Sequence, residues 1–363
     1  MRPPDYHGGG LVNLIAELEH RLTGSSAAPR LRVDLAARIP PARSYVFVLI
    51  DGLGNHQLDH PAAALLARDR VGAIDASFST QTTVNTSTLA TGLPPSQHGL
   101  IAYLLRLNER VVNTIFWFDP EGQSVDIDCR QFLPTPNLAE RMSAAGVESI
   151  VVEPAAFIDS PLDRLLYRGA TMVPAEDDAA SVRIALERAA QPKKLVAVYV
   201  PHVDAAAHAA GQESDLYRDA LGDAADIWKA IAAGLPPHAV AVGTADHGHV
   251  DVTPEKYYRL PDLPDMTFYG DSRVVYVSGA VDEARALASE LPVSWVSRSD
   301  MDGWWGPPPY HPEFEHRRPD GALVANNGFA LLYPGNEGLM VGQHGGLTEA
   351  ELRIPILVAT PGR

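Results

Sequence analysis

The chain has 363 residues, 46% of them hydrophobic and 20% charged, an ordinary globular composition that can bury a large α/β core. Its 45 Asp and Glu against 29 Lys and Arg leave a formal charge of −16, and no basic run offsets it locally, so bulk nucleic-acid binding is excluded as a class. A small phosphorylated substrate is not excluded, because bound cations reverse the local field inside an acidic protein.

The N-terminus, MRPPDYHGGG, has prolines, an acid and glycines where a signal sequence would carry an apolar stretch, and nowhere do 18 apolar residues run uninterrupted. No membrane segment is expected, and a cytoplasmic setting is. Helical periodicity follows in LVNLIAELEHRL. From Tyr45, YVFVLI reads as a buried strand that breaks at Asp51 and Gly52. An acid there is either a charged turn residue or a group held at the rim of a sheet. The segment from Ser79 to Tyr103, STQTTVNTSTLATGLPPSQHGLIAY, is crowded with hydroxyls, and from Asn85 to Gly92 it reads as a helix. Cys129 is the sole cysteine, so no intrachain disulfide exists, and its default reading is a buried, inert thiol.

Further along, NLAERMSAAG, ASVRIALERAA and SDLYRDALGDAADIWKAIAAG have helical patterns and alternate with apolar runs at 148–152, 195–200 and 239–243. The third helix should be capped by Ser214, present Leu216, Leu221, Ile227, Trp228 and Ile231 on one face, and stop at Gly234 and Pro236. More apolar runs lie at 273–277, 329–333 and 354–359. This alternation predicts a three-layer α/β/α sandwich around a largely parallel central sheet, with residues 1–363 as a single catalytic domain. Between 253 and 325, proline and aromatics break the periodicity, which predicts an irregular insertion covering the site. A Pro-rich surface excursion packed by Trp304 and Trp305 accounts for the same residues equally well.

In such a sheet, ligands bind beyond the carboxyl ends of the strands. Asp51 follows YVFVLI, Asp204 follows LVAVYVPHV, and Asp246 with His247 follows AVAVGTA. One such carboxylate would be a turn residue; three are harder to dismiss. Asp204 and His208, in DAAAH, share a side if the segment is helical, and His344 stands before two glycines in VGQHGGLTEAEL. Three Asp and three His supply enough oxygen and nitrogen donors for two ions of zinc type, with manganese or another divalent ion as the alternative. A hydroxyl at the N-terminal end of a helix beside such a pair is placed to act as a nucleophile on phosphorus.

Five segments in order, VFVLIDGLG, TTVNTSTLATGLPPSQHGL, DAAAH, ADHG and GQHGGLT, spread over about 45–360, resemble the alkaline phosphatase superfamily and in particular its nucleotide pyrophosphatase/phosphodiesterase branch. The resemblance implies an alkaline-phosphatase-like fold and two Zn²⁺ ions, one held by Asp204, His208 and His344, the other by Asp51, Asp246, His247 and the nucleophile oxygen. Counting back from Thr91 and Gly92, the nucleophile falls on Thr82, with Thr83 and Thr80 as competitors. The implied activity is hydrolysis of phosphodiester or pyrophosphate bonds through a phosphothreonine, with a small phosphorylated substrate, a nucleotide among the candidates. Phosphomonoester hydrolysis and phosphoryl transfer to an alcohol are the alternatives.

The chain departs from the family pattern at two places. Thr83 stands where members commonly carry an aromatic residue, and Tyr103 where they carry an asparagine, which puts nucleotide stacking in question. Tyr103 could donate its phenol to a phosphate oxygen, and Tyr199 matches a position that lines the base pocket in some members. For both, plain packing is the competing reading. His98 reads as structural, His202 and His249 as either partners of ligands or exposed residues, and Arg317 and Arg318 as surface charges.

Overall fold

The computed structural model describes residues 1–362. Seven strands form the central sheet in the spatial order Arg70–Asp75, Arg353–Ala359, Ala239–Thr244, Ser44–Ile50, Lys194–Val200, Glu148–Pro154 and Thr171–Ala175. Neighbours from Ala239–Thr244 onward are parallel, and Arg353–Ala359 runs against both strands beside it. Ser44–Ile50 lies in the middle and buries all seven of its residues. That double-sided burial explains why its sequence is apolar throughout and does not alternate.

Two helical layers cover the sheet. Gly243 pairs with Val48, and a Cβ on it would lie 2.8 Å from the indole of Trp228, so helix Asp215–Gly234 packs on the face that carries Val46 and Val48. Phe47 and Leu49 point the other way. They line a cavity of about 70 Å³ together with Ile15, Leu89 and Leu138 from helices Leu11–Thr23, Thr82–Thr91 and Leu138–Ala144. The result is the helix–sheet–helix sandwich.

Ser214 caps the Asp215–Gly234 helix, accepting from Tyr217 N at 3.1 Å. Leu221, Ile227, Trp228 and Ile231 are buried, but Leu216 is exposed, because the buried stripe runs through Tyr217, Leu221, Ala224, Trp228 and Ile231 and Leu216 lies a residue's turn off it. Among the described residues no helix is long and apolar enough to cross a membrane.

A second sheet has six antiparallel strands in the order Val293–Ser297, Gly321–Ala325, Val274–Ser278, Thr267–Gly270, Leu104–Leu107 and Arg110–Asn113. The 273–277 run therefore lies outside the central sheet, and the 329–333 run pairs as Ala330–Leu332 with Tyr257–Arg259. Connection length decides this. The link between Thr267–Gly270 and Val274–Ser278 is short enough for a hairpin and too short for a parallel crossover.

The irregular character expected of 253–325 is corrected accordingly: the stretch contributes strands to two sheets and is irregular mainly between 298 and 320. There Trp304 and Trp305 are buried, with ring centroids 5.0 and 5.5 Å from Phe78. Arg317, read as a surface charge, is buried too. It donates to Gly99 O at 2.9 Å and sits 4.2 Å over the Phe132 ring. Arg318 is largely covered and pairs with Asp302. Cys129 is half-buried, not fully buried as expected.

Candidate metal centre

Asp51 leaves the middle strand in register: its N–H donates to Val200 O at 3.0 Å, and its carbonyl accepts from Asp204 N at 3.1 Å. Gly52 then turns at φ 74°. No side chain fits there, because a Cβ would stand 2.4 Å from His249 Cε1 and 2.9 Å from Asp204 Cα. Asp204 and His208 lie one turn apart on helix His202–Ala210, Oδ1 and Nε2 being 3.3 Å apart. Asp246 and His247 leave strand Ala239–Thr244 together. His344 arrives from far along the chain through a two-residue ribbon, Gly342–Gln343 against Val250–Asp251.

These side chains meet in one place. His247 Nε2 lies 3.5 Å from Asp51 Oδ1 and 3.4 Å from Asp246 Oδ2. His344 Nε2 lies 3.3 Å from His208 Nε2 and 3.9 Å from Asp204 Oδ1, and its ring stacks on His247 at 3.7 Å. Donor atoms of Asp51, Asp246 and His247 lie within 4.8 Å of one another, as do those of Asp204, His247, His249 and His344.

Hydrogen bonding shows what such a cluster accommodates. Each of four imidazoles has Nδ1 against a backbone carbonyl: His208 on Gly342 O at 2.7 Å, His344 on Thr80 O at 2.8 Å, His247 on Gly248 O and His249 on Gly52 O, both at 3.2 Å. A carbonyl only accepts, so the proton is assigned to Nδ1; in His208, His344 and His247 the Nε2 lone pair then faces the cluster, whereas His249 Nε2 donates to Asp204 Oδ1 at 3.0 Å. Asp51 Oδ1 and Asp246 Oδ2 are buried without any hydrogen-bond partner. Acceptors facing acceptors at 3.3–3.5 Å repel unless a cation lies among them, and an O/N donor set without thiolate suits a divalent ion of zinc type. The residues fit such an ion.

The electrostatics agree. Burial, with Asp246 and Asp204 nearby, holds Asp51 well above the usual carboxylate range, and burial pushes Asp246 up to about 6. Burial also lowers His247 to about 3 and His344 well below the ordinary imidazole value, which keeps both rings neutral, as ligation requires. Asp204 is lowered instead, since burial is outweighed by His249, His208 and His344.

Thr82 is the first residue of helix Thr82–Thr91, which begins three residues earlier than expected, and its Oγ1 stands 3.2 Å from His247 Nε2. The competing threonines are placed differently. Thr80 Oγ1 donates to Gly346 O at 2.8 Å and accepts from Gly345 N at 3.0 Å, fastening the His344 loop. Thr83 is buried with its hydroxyl unpartnered. First-turn amides of the helix lack intrahelical acceptors and so face outward as anion donors.

Tyr103 OH accepts from Asn113 Nδ2 at 2.7 Å, which leaves its own hydrogen free. The Tyr199 hydroxyl donates to Asp51 Oδ2, so only its ring is available to a substrate. His98 bonds Thr88 Oγ1 at 3.2 Å inside the core, and His202 pairs with Asp178 away from the cluster.

One residue escaped the sequence reading and another was left open by it. Asn85 holds the loop before Thr82, accepting from Ser77 N at 2.7 Å and donating to Ser77 O, Ser79 O and Gln81 O. Nothing in its spacing marks it. His249, left undecided, is buried with Nε2 3.0 Å from Asp204 Oδ1.

A mostly parallel sheet whose strand ends gather carboxylates, imidazoles and a helix-borne threonine defines a phosphoryl-hydrolysing enzyme of alkaline-phosphatase-like fold. The chain belongs to the type I phosphodiesterase / nucleotide pyrophosphatase family, whose family model matches residues 45–345. Among solved structures it is similar to murine ectonucleotide pyrophosphatase / phosphodiesterase 5, at 19% identity and a TM-score of 0.67 over 87% of this chain and 88% of that one. An inactive threonine-to-alanine form of the murine protein in complex with AMP gives 19% identity and a TM-score of 0.65, over 87% of each chain. Phosphonoacetate hydrolase from Sinorhizobium meliloti 1021, in complex with phosphonoacetate, gives 17% and 0.57 over 89% of this chain and 90% of that one. No curated protein matches the chain.

Proposed function

We infer that the chain hydrolyses phosphodiester or pyrophosphate bonds with Thr82 as nucleophile and two divalent cations, zinc by donor type. Asp51, Asp246, His247 and the Thr82 oxygen would hold one ion, and Asp204, His208 and His344 the other. The observation that carries this reading is the convergence of unpartnered buried acceptors, Asp51 Oδ1 and Asp246 Oδ2, with the imidazole Nε2 atoms beside Thr82 Oγ1. When bound, such ions neutralise non-bridging phosphoryl oxygens and lower the pKa of a hydroxyl and of water.

Thr82 Oγ1 bonds phosphorus while the opposite ester P–O bond breaks and the alcohol leaves with a proton. Water then cleaves the phosphothreonine, giving a phosphate monoester and the free threonine. The amides of Thr83 and Val84 at the helix N-terminus, and the free phenol hydrogen of Tyr103, offer donors to phosphoryl oxygens. The AMP complex of the murine relative supports a small phosphorylated substrate, and that protein's inactive threonine variant supports a threonine nucleophile.

Among the described residues no Lys or Arg side chain bonds to or pairs with the clustered groups, which favours a singly charged diester over a doubly charged monoester. The same proposal takes 1–363 as one catalytic unit. A cytoplasmic setting belongs to it also, supported by the single cysteine.

Zinc-loaded protein should hydrolyse bis(p-nitrophenyl) phosphate in preference to p-nitrophenyl phosphate, and Thr82→Ala should lower the rate on the order of 10³-fold or more at equal zinc content. A Thr82→Ala protein as active as the wild type would overturn the assignment. Alkyl phosphate formed beyond simple competition with water, when an alcohol is added, would show transfer instead of hydrolysis.

A further inference from the structure

Arg317 is a buried cation without a carboxylate. It is 5% exposed, its guanidinium carbon sits 4.2 Å over the Phe132 ring, and among the described residues its side chain makes a single hydrogen bond, from Nη1 to Gly99 O at 2.9 Å. The neighbouring Arg318 pairs with Asp302 at 2.5 Å and with Glu315 at 3.4 Å, whereas no acid among the described residues pairs with Arg317. Gly99, at φ 80°, makes the room: a Cβ there would lie 2.4 Å from Arg317 Nη1. Burial lowers the guanidinium to about 10, so it stays charged at neutral pH, and a charge held out of water with N–H donors to spare suits an anion.

Arg317 lines a cavity of about 670 Å³. His311, buried in the same lining, donates from Nε2 to Phe132 O at 2.7 Å and accepts at Nδ1 from Glu313 N at 3.1 Å, so it is neutral and adds no charge. Phe132, Leu107 and Ile127 supply an apolar wall. Three carboxylates, Asp126, Asp128 and Glu313, also line the cavity, and all three are exposed, which puts them at its mouth and Arg317 at its floor. Arg106, the other arginine of the lining, is matched by Glu109 at 3.1 Å. The charge is therefore graded, positive at depth and negative at the entrance. None of these residues belongs to the strand-end cluster.

We propose that this cavity binds a small zwitterion, with a carboxylate on Arg317, an apolar body against Phe132, Leu107 and Ile127, and an ammonium group facing Asp126, Asp128 and Glu313. A planar guanidinium fork matches a carboxylate. A plain anion would have to pass the three acids at the mouth, and a plain cation would meet Arg317 at the floor; a molecule that carries both charges at opposite ends satisfies both. An amino acid whose charged groups are separated by an apolar spacer has this chemistry. The inference does not depend on what the strand-end cluster hydrolyses.

Calorimetric titration of the zinc-loaded protein with trans-4-(aminomethyl)cyclohexanecarboxylate, its methyl ester and cyclohexanecarboxylate tests this without turnover. The zwitterion should bind saturably, the ester at least about tenfold more weakly for want of the carboxylate, and the plain acid about threefold more weakly for want of the ammonium. Arg317→Lys, which keeps the charge and loses the fork, should weaken both carboxylates by at least about tenfold. Asp126→Asn with Glu313→Gln, both at exposed positions, should weaken the zwitterion about threefold and leave the plain acid no weaker. No saturable binding to the wild type, an ester that binds as tightly as the zwitterion, or a plain acid that binds equally well overturns the proposal. If Arg317→Lys does not fold, the mouth variant decides: zwitterion affinity unchanged there overturns it too.

Discussion

His249, open in the sequence between partner of a ligand and exposed residue, shows how one side chain can organise a cluster. Its Nδ1 reaches Gly52 O at 3.2 Å and its Nε2 reaches Asp204 Oδ1 at 3.0 Å, at 1% exposure, so it joins the Asp51 turn to the helix that carries Asp204. Replacing it with alanine should lower zinc affinity by about 10–100-fold in competition with a chelator, and His249→Gln, which keeps a donor, should recover part of the loss. Equal affinity in all three proteins would show that Asp204 needs no such support. The signal for His249 was present in the sequence, because His247 and His249 are two apart and an extended backbone turns both to one side. Asn85 gave no comparable signal: its four hydrogen bonds go to backbone groups whose position depends on the folded loop.

The element that fixes His344 is a loop, and it depends on a buried ion pair. Glu351 accepts from Gly346 N at 2.9 Å and from Thr348 Oγ1 at 2.7 Å, and pairs with Arg273 Nε at 3.0 Å, both charged side chains being no more than 1% exposed. Arg273 also donates to Asn326 O and Phe329 O, so the pair joins the second sheet to the His344 loop. Arg273→Met, which strands a buried carboxylate, should cost about 3–5 kcal/mol in urea unfolding. Adding Glu351→Leu should restore much of the stability without restoring zinc affinity, because the loop still lacks its acceptor. If the double variant recovers both, the pair serves stability alone.

Elements differed in legibility for physical reasons. The central strands were readable because burial on both faces leaves an unbroken apolar run. The run at 273–277 looks the same, and only the short hairpin link sends it to another sheet. Helix Thr82–Thr91 has no apolar stripe to reveal its start; its hydroxyls bond back to carbonyls one turn earlier, Thr86 to Thr82 O at 2.7 Å and Ser87 to Thr83 O at 2.6 Å.

At the scale of the whole molecule, stability should depend on an acid remote from the cluster chemistry. Glu153 is buried near the end of strand Glu148–Pro154, with Oε1 unpartnered, and burial together with Asp163 pushes its carboxyl up to about 8. A carboxyl whose folded pKa is raised keeps its proton in the fold after the unfolded chain has released it near about 4.3. Its contribution to stability is full below that value and is lost as pH rises through about 8. The unfolding midpoint should therefore fall as pH rises from about 4.3 to about 8, and Glu153→Gln should flatten that slope. An unchanged slope would place the dependence on another group. The site was legible at this scale because five short segments in order need only strand ends to bring them together; the antiparallel sheet and the buried arginines were not, since long-range packing decides them.

The strand Arg353–Ala359 lies between Arg70–Asp75 and Ala239–Thr244 although it comes last. A ribosome must pass residue 359 before the early and middle portions of the polypeptide can be locked side by side. Until then the nascent chain has a gap in its scaffold next to the strand that leads into Asp246 and His247, so assembly of the candidate centre has to wait for residue 359 to be made and cannot proceed piece by piece.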